Sequence, residues 1–166
     1  MLSLKKILIN ISIIFALLFG VISSATASES SFEETKARAE KGSSFDQVYL
    51  GQHYMDGIGV RQDYSKAFEW YKKAADQGDS NGQFNVGYLY SSGLGVRQDY
   101  SKAFEWYNKS AKQNSKIAQA SIGILYESGL GIRQNKTMAK EWYGKSCDNG
   151  FQGGCDHYRR LNEQGY

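Results

Sequence analysis

The sequence predicts an all-α fold, an α/α solenoid (superhelix) of stacked helix-turn-helix repeats. The first observation is self-similarity. The 14 residues Gly57 to Trp70 (GIGVRQDYSKAFEW) return 36 positions later as Gly93 to Trp106 (GLGVRQDYSKAFEW), and a looser copy starts 36 positions on at Gly129 (GLGIRQNKTMAKEW). A fixed period of about 20 to 50 residues is the signature of stacked repeats. The second is that apolar residues fall at helical spacing on both sides of each Gly-x-Gly loop. The third is that residues suited to helix caps stand at matched positions in every copy. On this register the repeats span 43–78, 79–114 and 115–150, between capping helices at 28–42 and 151–166.

The chain opens with Lys5 and Lys6, an apolar run from Ile7 to Ile22, and Ala25-Thr26-Ala27. That order is the signature of a secretory signal peptide over residues 1–27, cut after Ala27. The run is shorter than the roughly 20 apolar residues that span a bilayer, and Asn10 and Ser12 interrupt it, so no membrane insertion is expected after cleavage. Residues 28–42 follow as a degenerate trailing helix, with Phe32 and Glu33 in register with Phe68 and Glu69.

Each repeat then has a leading helix before the loop and a trailing helix after it. The leading stripes are Gln47, Leu50, Gly51 and Tyr54; Gly82, Val86, Leu89 and Tyr90; and Ala118, Ile122, Leu125 and Tyr126. Gly51, Gly87 and Gly123 share one phase. A helical glycine costs about 1 kcal/mol relative to alanine, so its recurrence predicts a neighbouring helix passing close. In the first trailing helix, Tyr64, Ala67, Phe68, Tyr71, Ala74 and Ala75 mark one face. Asp63, Asp99 and Asn135 are its N-cap residues in the three copies, and Gly78, Asn114 and Gly150 close it in the left-handed conformation. In the fourth leading helix, from about Gly153, Arg159 replaces the packing glycine and Asn162 the tyrosine. A last repeat has no neighbour to cover it, so polar substitution fits a cap.

Composition narrows the function. Without residues 1–27 the chain has 18 basic and 17 acidic side chains, a net charge of +1. Nucleic-acid binding would favour a basic excess, and is not expected. Cys147 and Cys155 are the two cysteines. In an exported chain so close a pair forms a disulfide; zinc needs four ligands, and His157 is the one further candidate nearby. No metal or cofactor is expected. A serine β-lactamase needs Ser-x-x-Lys with Ser-Asp-Asn and Lys-Thr-Gly elements. Here Ser-x-x-Lys occurs once, from Ser3 to Lys6 inside the signal peptide, and the other two elements are absent. His53 falls in the core phase of Leu89 and Leu125, and His157 in the terminal cap, so neither is read as catalytic. The Gly-x-Gly loops lack the third glycine and preceding strand of a dinucleotide site, and serve as turns. Arg61, Arg97 and Arg133 recur after the loops and read as a solvated edge with local bonds to acids such as Asp63 and Asp99.

Gly51, Tyr54, Gly57, Gly59, Ala67, Trp70, Tyr71, Lys73, Ala74, Ala75 and Gly78, with their counterparts one and two periods on, resemble the Sel1-like repeat family. These are α/α solenoids related to tetratricopeptide repeats, whose unit is shorter, at about 34 residues. The spacing Cys147-x7-Cys155 resembles the family's secreted, cysteine-rich bacterial branch. That branch ties the end of a trailing helix to the start of the next leading helix, though usually in every repeat.

The resemblance implies that the leading helices line a concave side where ligands lie. Outward positions there diverge between copies while core and turn positions stay nearly fixed. Tyr49, Asn85 and Ser121 share one phase, Gln52, Tyr88 and Ile124 a second, and Val48, Phe84 and Ala120 a third. The partner-binding candidates are Val48, Tyr49, Gln52, Phe84, Asn85, Tyr88, Ser121 and Ile124, since aromatic residues are enriched at interface centres. The expected function is non-enzymatic: an adaptor in the periplasm or secreted, holding an envelope protein or else peptidoglycan or another glycan. Two alternatives stay open: an immunity protein against a toxic effector, and a weak β-lactamase, penicillin-binding or peptidoglycan-related protein, as some cysteine-rich relatives are described.

Overall fold

A computed structural model describes residues 31–166; the signal-peptide reading of residues 1–27 lies outside the described residues. Within them all regular structure is helical. Helix α1 covers residues 31–40 of the described chain. Then follow α2 (Ser44–Asp56), α3 (Tyr64–Asp76), α4 (Ser80–Ser92), α5 (Tyr100–Ala111), α6 (Lys116–Ser128), α7 (Lys136–Asp148) and α8 (Gln152–Glu163). Each helix packs on those before and after it. The leading helices also touch across repeats, α2 with α4 and α6 with α8, whereas the trailing helices α3, α5 and α7 stay further apart.

Local chemistry sets the helix limits. Asp63, Asp99 and Asn135 accept the backbone N–H groups of Lys66, Lys102 and Met138 at the starts of α3, α5 and α7, as expected. Ser43, Asp79 and Ser115 do the same for α2, α4 and α6, which the sequence reading did not assign. Gly78, Asn114 and Gly150 sit at φ of 90°, 63° and 80°, the left-handed region in which glycine is unpenalised and asparagine tolerated. The loops stack as well. A Cβ on Gly131 would lie 2.5 Å from the backbone of Tyr100, and the Ser101 hydroxyl donates to the Gly131 carbonyl at 2.9 Å.

The core is one tyrosine per repeat among small and aliphatic residues. Tyr71, Tyr107 and Tyr143 are buried beside Leu50, Val86, Leu89, Ile122 and Leu125. A Cβ on Gly51, Gly87 or Gly123 would meet their rings at 2.6, 2.7 and 2.7 Å. The close approach is therefore present, and the group that passes is a tyrosine ring of the trailing helix.

The joints between repeats are periodic too. Phe32 meets Tyr54 edge-on at 5.6 Å, Phe68 meets Tyr90 at 5.3 Å, and Phe104 meets Tyr126 at 5.6 Å. Helix α1 thus packs as a trailing helix. At the last joint the pair becomes Lys140 and Asn162, 3.5 Å apart, and Arg159 is exposed. Cys147 and Cys155 form a disulfide with their Cα atoms 4.5 Å apart, tying α7 to α8.

Candidate functional site

Helical spacing builds a groove from α2 and α4. Phe45, Val48, Tyr49, Gln52 and Asp56 fall at i, i+3, i+4, i+7 and i+11, so they share one face of α2. Asn81, Phe84, Asn85 and Tyr88 do the same on α4. Between the helices lie two adjoining depressions of about 350 and 220 Å³, which share Gln52, Phe84 and Asn85. The first is completed by Phe45, Val48, Tyr49, Asp79 and Asn81, and the second by Met55, Asp56, Tyr71 and Tyr88.

The lining is apolar with oriented polar groups. Phe45, Tyr49 and Tyr88 keep 64%, 52% and 40% of their surface exposed, and Phe45 leans on Tyr49 at 4.6 Å. The Tyr71 hydroxyl donates to Gln52 Oε1 at 3.1 Å, and Gln52 Nε2 donates to Asp56 Oδ2 at 2.6 Å. Burial, with the Asp56 charge adding, pushes the Tyr71 phenol above its ordinary value, so it stays a neutral donor. Asp79 Oδ1 accepts the N–H groups of Asn81 and Gly82 at 2.9 Å, while Ser44 donates to Oδ2 at 3.4 Å. Among the described residues neither Asp56 nor Asp79 has a basic side chain within 4.0 Å.

Six of the eight residues singled out from sequence meet in this groove: Val48, Tyr49, Gln52, Phe84, Asn85 and Tyr88. Ser121 and Ile124 lie one repeat further on. Ser121 is half-buried and donates to the Ile117 carbonyl at 3.0 Å, while Ile124 is 45% exposed. The phase of Val48 and Phe84 is half-buried rather than outward, and Ala120 in that phase is fully in the core. Sequence reasoning missed Phe45, whose matched positions Asn81 and Ile117 diverge by the same criterion that selected Tyr49. It also missed Asp56 and Asp79, which stand at helix ends.

Other candidates resolve differently. His53 is buried, with Nδ1 2.7 Å from the Ile58 carbonyl, and His157 stacks on Tyr143 at 4.6 Å. Both are packing groups. Arg61, Arg97 and Arg133 are exposed and form no ion pair among the described residues; Asp63 and Asp99 instead approach Lys66 and Lys102 at 4.0 and 3.6 Å. No group of three potential metal ligands occurs among the described residues, nor any helix long and apolar enough to cross a membrane.

Repeated hairpins and a tyrosine-on-glycine core define a helical-repeat solenoid. The Sel1 repeat model matches residues 45–79, 80–115 and 116–151, and the chain belongs to that family. It is similar to a protective antigen of uropathogenic Escherichia coli with an SLR fold, at 32% identity and a TM-score of 0.72, covering 74% of this chain and 26% of that one. A Sel1 repeat protein from Oxalobacter formigenes matches at 29% identity and 0.77, over 90% of this chain and 60% of that one. This chain therefore spans about a quarter and three fifths of those two proteins. Helicobacter pylori cysteine rich protein B shares the fold at 20% identity and 0.64, over 77% and 95% of the two chains. No curated protein is similar enough to count as a relative.

Proposed function

We propose that this protein is an exported, non-enzymatic adaptor that holds a protein of the bacterial envelope in the groove between α2 and α4. The observation that carries the proposal is the row of Phe45, Tyr49, Phe84 and Tyr88 along that groove, interleaved with Gln52 and Asn85. Exposed aromatic residues beside polar amides are the composition of an interface centre. Sel1 repeats typically mediate protein–protein interaction, and their homologues are generally scaffolds, which supports the same reading. Export is supported by the signal-peptide pattern of residues 1–27 and by the disulfide, since disulfides persist in oxidising compartments. A preformed groove on rigid helices binds with little ordering cost.

The test uses residues 28–166 as bait in an envelope extract, with captured species identified by mass spectrometry. One protein should be retained by the wild-type chain and by Ser121→Ala, and lost from the Tyr49→Ala/Asn85→Ala/Tyr88→Ala variant. Capture of glycan fragments, or capture indifferent to that triple change, overturns the adaptor role.

A further inference from the structure

We propose that the groove takes an extended peptide segment carrying two basic side chains about six residues apart, with apolar side chains between them. The inference rests on the groove reading above and adds the chemistry of the occupant.

Charge comes first. Asp79 and Asp56 lie at opposite ends of the two depressions and are the charged groups lining them. Both carboxylates are held in place, Asp79 by two backbone N–H groups and Asp56 by Gln52, itself fixed by Tyr71. Neither has a cationic partner within 4.0 Å among the described residues. Arg61, on the loop after α2, lines a separate depression with Gln62, Asp63 and Lys66. Oriented, unpaired carboxylates select cations and repel anions. An acidic glycan or an anionic lipid surface is therefore the wrong occupant.

Shape comes second. Between the acids stand Tyr49, Phe84 and Tyr88, with the amides of Asn81 and Asn85, whose side chains make no hydrogen bond among the described residues. Free amides complement the unpaired N–H and C=O groups of an extended backbone. A helix has already satisfied its own.

Length comes third. Asp79 sits beside Ser44 at the start of α2, and Asp56 ends that helix. Twelve steps of about 1.5 Å separate the two ends by about 18 Å. An extended chain rises about 3.3 Å per residue and alternates its side chains between two faces, so basic side chains about six positions apart share one face and reach both acids.

The probe is a set of fluorescein-labelled nonapeptides of the form Gly-Arg-x-x-x-x-x-Arg-Gly, with the central positions drawn from Leu, Phe, Ser and Asn. Their binding to residues 28–166 is read by fluorescence anisotropy. Peptides with two apolar central residues should bind, weaken at least about tenfold in the Asp56→Asn/Asp79→Asn variant, and weaken similarly as salt rises to about 0.5 M. Asparagine keeps the N-cap at position 79, so the variant should fold; circular dichroism checks it. Peptides with both arginines changed to glutamate should not bind. The inference is overturned if no member binds below about 1 mM, or if the asparagine variant binds equally. Equal binding by that variant combined with loss in Tyr49→Ala/Phe84→Ala would leave the groove standing and remove the charge assignment.

Discussion

Cys155 is bonded to Cys147 at the place where, one repeat earlier, the Gln119 side chain donates to the Ala111 carbonyl at 3.5 Å. Gln83 and Gln47 do the same to Ala75 and Ala39, at 3.5 and 3.1 Å. Each of these glutamines also accepts from a residue at the end of its own repeat: Gln77, Gln113 and Asn149 donate to Gln47, Gln83 and Gln119. At the α7–α8 joint a covalent link takes the place of that side-chain-to-carbonyl hydrogen bond.

Breaking that link should therefore loosen α8 first. The closed loop is short, and chain-entropy arithmetic gives a loss of about 2–3 kcal/mol for Cys147→Ala/Cys155→Ala. Cys147→Ala/Cys155→Gln reinstates the glutamine of the inner joints and should recover about 1 kcal/mol of it. Urea denaturation of both variants measures the difference. Equal stability of the two would mean that the glutamine bond does not transfer to the terminal joint.

The packing glycines give a second, signed prediction. At Gly87 a Cβ would lie 2.7 Å from the buried Tyr107 ring, so Gly87→Ala should destabilise by about 1–3 kcal/mol although alanine is the better helix former. Gly144 is the control. Its Cβ would meet Tyr158 at 3.3 Å, and that ring is 40% exposed and free to move. Gly144→Ala should be neutral or stabilising by up to about 1 kcal/mol. Thermal melts of the pair separate steric exclusion from helix propensity.

Much of this architecture was legible because the chain repeats itself. Three aligned copies exposed the core phase, the trailing-helix caps, the glycine positions and the polar terminal joint, each of which needs only register to be seen. The groove was legible in part. Divergence across copies selects outward residues on one helix, and it found Tyr49, Asn85 and Tyr88. It could not show that the faces of α2 and α4 meet in one depression, since that depends on how the two helices pack. Asp56 and Asp79 were passed over because they stand at helix ends, outside the three outward phases compared between copies. Ser43, Asp79 and Ser115 were missed as caps because their copies differ in residue type.

Asn114 tests the turn chemistry. It is the non-glycine residue with positive φ among the described residues, at 63°, and it stands where Gly78 and Gly150 stand in the other repeats. Asn114→Gly should be neutral or stabilise by a few tenths of a kcal/mol. Asn114→Ala should cost about 1 kcal/mol, because a Cβ without a local hydrogen-bonding group is strained in the left-handed region. Denaturant midpoints compared across the three chains decide it.

Glu127 on α6 ties α8 to the third repeat, through Arg160, and makes that joint sensitive to acid. It accepts from the Tyr143 hydroxyl at 2.9 Å and from Arg160 at 2.7 Å, with His157 3.1 Å from the same guanidinium. Burial raises the Glu127 carboxyl, but the Arg160 and Tyr143 hydrogen bonds and the guanidinium charge outweigh it and leave it below the ordinary value of 4.5. A carboxyl depressed in the folded state contributes stability that is full above its unfolded value and lost as pH falls through the folded one. Arg160 is 41% exposed, so solvent screening limits the contribution to about 1 kcal/mol or less. Glu127→Gln should therefore be less stable than wild type at neutral pH, and the gap should close once pH drops well below 4.5. Hydrogen exchange followed across that range should show amides of α8 losing protection before those of α4, since the terminal unit opens locally. A gap that persists at low pH would assign the role of Glu127 to packing against Tyr143 rather than to its charge.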